Sequence, residues 1–60
     1  VKTRCVDRTG RELAIYPYEM KTVQIGADFA VGQEMHVVLM VNRHEDDDLV
    51  EIVLVKKPKP

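Results

Sequence analysis

The sequence predicts an all-β protein, a small antiparallel barrel or sandwich with one long C-terminal hairpin. Two long runs, Glu34 to Arg43 and Leu49 to Lys57, alternate with the two-residue period of a strand. A shorter pair of alternating runs flanks Asp7-Arg8-Thr9-Gly10, a sequence with the composition of a tight turn. The one stretch that competes for a helix, Met20 to Ala30, carries Gly26 and several β-branched residues, which argue against it.

Taken in order, Lys2 to Asp7 forms the first strand, and Gly10 supplies the positive φ that the reversal needs. The return strand runs from Arg11 to about Tyr16, with Leu13 and Ile15 on one face, and Pro17 ends it by removing a backbone donor. A short strand over Lys21 to Ile25 follows, closed by Gly26-Ala27-Asp28. Phe29 to Gln33 then reads as a turn feeding the longest strand, with Gly32 at the bend and Phe29 anchored in the core. On that strand Met35, Val37, Leu39 and Val41 fall on one face, assigned to the core, and His36, Val38, Met40 and Asn42 on the other. On the last strand Val50, Ile52 and Leu54 oppose Leu49, Glu51, Val53 and Val55. Residues 1–57 make one small β domain, and 58–60 a flexible Lys/Pro tail.

Both long strands are therefore apolar on both sides through their middles. A hairpin with one solvated face alternates cleanly between apolar and polar, so the second face, made by Val38, Met40, Val53 and Val55, must be covered. Sixty residues bury only about 60% of the surface that the unfolded chain exposes, so an isolated monomer is marginal. Nor are the usual staples at hand. Cys5 stands alone and cannot form an internal disulfide, and two histidines with one distant cysteine do not make a zinc set. The remaining device is association with other copies of the chain or with a larger body, and Tyr16 and Tyr18 belong to the same expected interface.

Nine Lys and Arg against ten Asp and Glu give a formal charge of −1, without the basic excess that phosphate-backbone binding requires. The charges are segregated. Lys2, Arg4, Arg8 and Arg11 lie near the start, Glu45, Asp46, Asp47 and Asp48 in one block, and Lys56, Lys57 and Lys59 near the end. Such a pattern suits electrostatic docking between unlike ends of neighbouring subunits. The acidic block lacks the alternating spacing and glycine of a calcium loop, so no metal or other cofactor is expected. His36, His44 and Cys5 lack the orienting third group and glycine loop of a nucleophilic site, so no enzyme is expected either. Tyr16-Pro17-Tyr18 near Arg4, Arg8 and Arg11 is the one candidate stacking platform for single-stranded nucleic acid. A lone cysteine and the lack of a signal-length apolar run predict a chain made without export and working in the cytoplasm, with no membrane partner. A start at Val1 fits removal of an initiator Met or a trimmed chain.

The run Phe29-x-Val31-Gly32-Gln33, followed by an alternating strand, an acidic tip and a final Val/Ile strand, resembles very small β proteins of tailed phages, among them capsid-associated accessory or cement proteins. The resemblance covers about half the chain and implies a non-enzymatic role in a multi-copy assembly or virion. Gly10-Arg11 before a strand, with an apolar last strand and terminal lysines, is similar to swapped-hairpin transcription regulators. Pro17-Tyr18-Glu19-Met20-Lys21 departs from the proline-led helix of that group. An interaction protein that oligomerises or docks on an assembly is thus the leading expectation, and a nucleic-acid-binding regulator the alternative.

Overall fold

The computed structural model describes residues 1–21 and 23–58; Thr22 of the expected Lys21–Ile25 strand, and Lys59 and Pro60 of the expected tail, lie outside the described residues. Strand β1 (Lys2–Val6) pairs antiparallel with β2 (Glu12–Tyr16). The turn between them is organised by Asp7, whose carboxylate accepts from the Thr9 amide (2.9 Å), the Thr9 hydroxyl (2.6 Å) and the Arg11 amide (3.0 Å). Gly10 takes φ 91° there, a backbone region that costs a residue with a Cβ.

The chain next forms β3 (Asp28–Val31), β4 (Glu34–His44) and β5 (Leu49–Lys56). Of the expected Lys21–Ile25 strand, the described residues are irregular or lie in a turn, and the strand forms instead over Asp28–Val31, where a turn was expected. No helix forms over Pro17–Lys21. A single 3₁₀ turn, Glu45–Asp47, and Asp48 in the left-handed region (φ 53°) join β4 to β5.

All five strands lie in one curled sheet, a half-barrel of order β2-β1-β5-β4-β3. The sheet is mixed rather than antiparallel throughout, because β1 and β5 run parallel over Lys2–Val6 and Leu49–Val53. The connection explains it. Residues 17–27 carry the chain from the β2 edge to the β3 edge, and the β3-β4-β5 meander then returns to lie beside β1 in the same direction.

The concave side of the half-barrel holds the core, where Cys5, Val38, Val50, Ile52 and Leu54 are buried together. Its lid comes from the chain itself, since Met20 and Val23 of the connection pack on this cluster beside Tyr16, Phe29 and Val41. Buried Thr3 fixes that lid by donating its hydroxyl to the Tyr18 carbonyl (2.7 Å) and accepting from the Met20 amide (3.0 Å). Further on, the Gly26 amide donates to the Val38 carbonyl (2.8 Å) and the Val38 amide to the Ala27 carbonyl (2.9 Å), which ties the end of the connection to β4.

Two register shifts break the alternation read from the sequence. On β4, Val38 pairs with Leu54 and Met40 with Val53, so Leu39 is an extra residue. Before this bulge the faces are the reverse of those expected: His36 and Val38 point into the core, while Met35, Val37 and Leu39 point outward. Val38 is 1% exposed and Leu39 47%, so Val38 is no part of an outward interface and Leu39 no part of the core. Beyond the bulge Val41 turns inward and Met40 and Asn42 outward, in the expected phase. On β2 the shift between Val6 and Cys5 leaves Leu13 unpaired; Leu13 packs on the core while Ile15 is exposed, so the two do not share a face.

Candidate functional site

With its concave side covered by Met20 and Val23 of the connection, the sheet presents its convex side outward. Side chains directly opposite in register share a face, which fixes what lies there. Across β4 and β5 the outward pairs are Val37 with Val55, Met40 with Val53, Asn42 with Glu51 and His44 with Leu49. Met35 and Ala30 extend this surface onto β3, and the bulge adds Leu39 beside Met40. The middle of the face is thus apolar across two strands, and Met35, Leu39 and Met40 are each nearly half exposed. Valine and leucine scattered singly on a surface need no explanation, but a contiguous apolar strip on a chain this small does.

Charges bound the strip at both ends. At one end Arg4 lies 3.2 Å from Glu12 and 3.7 Å from Glu51; at the other, Lys57 lies 3.3 Å from Asp28. Lys56, on the inward side of β5 opposite His36, reaches Glu34 at 3.6 Å. The two lysines expected to dock electrostatically thus each lie beside a carboxylate of their own chain, in exposed pairs that stabilise by only about 0–1 kcal/mol each and leave both ammonium groups open to a further partner. Glu45, Asp46, Asp47 and Asp48 are all exposed at the tip. Two hollows among the described residues lie near the tip, with volumes of about 220 and 400 Å³; the second is lined by Arg43 to Asp47, a bowl formed by one chain segment.

Of the six residues expected at an interface, Met40, Val53 and Val55 come together on the outward face, and Val38 does not. Tyr16 turns inward in register with Thr3, and its ring lies 5.8 Å from that of Tyr18 and 6.4 Å from that of Phe29. Burial raises the Tyr16 phenol above its ordinary range, with smaller contributions from Cys5 and Tyr18. Tyr18 is exposed on the connection. Tyr16 faces the core and Arg4 faces outward, so these two members of the candidate stacking platform lie on opposite sides of the sheet.

The residues weighed for chemistry stand apart. His36 is inside and His44 outside, eight residues or about 27 Å along β4. Cys5 is wholly buried, and that burial pushes its thiol up. Among the described residues, buried His36 Nδ1 has no hydrogen-bond partner, and Nε2 lies 4.0 Å from Glu34. Among the described residues no three His, Cys, Asp or Glu side chains converge, and no helix is long and apolar enough to cross a membrane. Missed from the sequence were Val37, Met35 and Leu39, whose outward positions depend on a bulge that no glycine or proline announces. Comparison with known protein families, curated proteins and solved structures gives no match.

Proposed function

We propose that this chain is a non-enzymatic interaction protein that docks the convex β4–β5 face on another protein surface within a multi-copy assembly. A capsid accessory or cement protein is the specific form suggested by the run from Phe29 to Gln33 and the strands after it, with synthesis in the cytoplasm and residence in a virion. One observation carries the reading. In a chain whose other face already holds its core, the outward side keeps Met35, Val37, Leu39, Met40, Val53 and Val55 in one strip. Burying such side chains fully stabilises by about 1.5–3 kcal/mol each, a large sum beside the few kcal/mol that a core of this size supplies.

The test is Met40→Asp. A carboxylate at the centre of an apolar contact is strongly unfavourable, whereas on a solvated face it is harmless. The expected result is retained β-type circular dichroism with loss of the higher native mass by light scattering, or loss of fluorescence from the apolar dye anilinonaphthalene sulfonate if the pure protein is a monomer. An unchanged native mass, dye signal and melting temperature would sink the reading.

A further inference from the structure

The outward residues of the last strand, followed one step past its end, read Glu51, Val53, Val55, Lys57. Lys57 belongs to this series because its amide donates to the Met35 carbonyl (2.9 Å) and its ammonium lies beside outward Asp28. The order is acid, apolar, apolar, base, which is its own complement when reversed. We infer that the convex face is covered by a second copy of this chain, packed face to face about a two-fold axis that crosses β5 at Leu54. The inference rests on the docking reading above and names its partner.

A two-fold axis lying in the interface and perpendicular to the strands keeps each strand over its own counterpart and reverses its direction. Placed at Leu54, it sets Val53 over Val55 of the second copy and Glu51 over Lys57 of the second copy, twice by symmetry. On β4 the same operation brings Val37 opposite Met40 of the second copy, since these two pair with Val55 and Val53, and it centres the contact on the Leu39 bulge. Arg4 already flanks Glu51, and Asp28 already flanks Lys57. The joined edges therefore alternate in sign: Arg4, Glu51, Lys57 of the second copy, Asp28 of the second copy. An axis parallel to the strands would instead set Glu51 against the acidic end of its twin. Complementary potentials of this kind fix register more than they add affinity.

Size sets the strength. An axis at Leu54 overlaps the two copies only from Glu51 to Lys57, a span of about 20 Å, and curvature limits contact to about three strands at roughly 4.8 Å spacing, or about 300 Å² for each copy. That is below the usual size of specific complexes, so the dimer is weak and concentration-dependent.

The experiment is sedimentation equilibrium of the full chain from about 10 μM to 1 mM, for wild type, Glu51→Lys, Lys57→Glu, an equimolar mixture of these two variants, and the double variant. The wild type is expected to dimerise. Each single variant sets like charges together at both symmetric contacts and should weaken self-association about tenfold or more. The mixture pairs unlike charges at both contacts and should restore dimers, as should the double variant, which separates a docking effect from a folding one. Single variants that dimerise like wild type, or a mixture that stays monomeric, would overturn the inference. A monomeric wild type at every concentration also overturns it; the docking reading then survives if dye binding is lost in Met40→Asp, and fails with it if no dye binds.

Discussion

Thr3 shows how much one hydroxyl can organise. It closes two main-chain hydrogen bonds to Tyr18 and Met20, residues fifteen and seventeen positions ahead, and so fixes the segment that lids the core. Thr3→Val keeps the shape and removes both bonds, leaving a carbonyl and an amide without a partner. The expected cost is about 1–3 kcal/mol, which in a domain of this size is a drop in melting temperature of roughly 4–8 °C per kcal/mol. Thermal melts of Thr3→Val and Thr3→Ser check it, since the serine keeps both bonds and should lie much closer to wild type. Nothing in the run Lys2 to Asp7 points to this role, because the partners are main-chain atoms placed by a loop whose path is a tertiary event. His36 is the contrasting case, a buried polar side chain whose Nδ1 finds no partner among the described residues.

At the scale of elements, the extents of four strands were legible. Short alternating runs bounded by Asp, Gly and Pro locate β1 and β2, and the long runs locate Glu34–His44 and Leu49–Lys56 to within about a residue. The assignment of faces on β5 was legible too. On β4 it failed, because a period of two propagates any single insertion to every residue on one side of it. The Leu39 bulge does this among apolar residues, where the residue types give no sign of a change in phase. It follows that Leu54→Ala, opening a cavity in the core, should cost about 2–5 kcal/mol. Leu39→Ala should change monomer stability by no more than about 0.5 kcal/mol. Denaturant midpoints of the two variants decide between the observed faces and the uniform alternation, which would make Leu39 the costly one. Strand β3 was missed because Phe29-Ala30-Val31 is short and lies beside Gly32, which draws the eye to the turn.

For the whole molecule, the shifted titrations of Asp7, Cys5 and Tyr16 tie stability to pH at the acid and alkaline ends. Hydrogen bonds from the Thr9 hydroxyl and from the Arg11 and Thr9 amides, with the Arg11 charge, hold the Asp7 carboxyl below the usual aspartate range. Its contribution is present above the unfolded value and lost as pH falls through the folded one, in acid below about pH 4. Cys5 and Tyr16 are shifted the other way, first of all by burial. Their contributions are complete below the unfolded values, about 8.5 for the thiol and about 10 for the phenol, and are lost as pH rises through the folded ones. Melting temperature should therefore fall in acid below about pH 4 as Asp7 is protonated, and in alkali above about pH 8.5 as Cys5 ionises in the unfolded chain. Cys5→Ala should carry the alkaline limb toward pH 10, and an alkaline limb unmoved by that change would mean the thiol is not its first cause.

The parallel pairing of β1 with β5 also decides how the molecule bears a load. Because the two strands point the same way, the start of β1 and the end of β5 lie at opposite ends of the pair. Tension applied at the two ends of the chain then pulls β1 and β5 along each other in shear. The hydrogen bonds over Lys2–Val6 and Leu49–Val53 are stretched together instead of one after another. An antiparallel neighbour in the same place would unzip from one end at far lower force. The strand pair that joins the β1–β2 ribbon to the β3–β5 meander is thus a mechanical clamp.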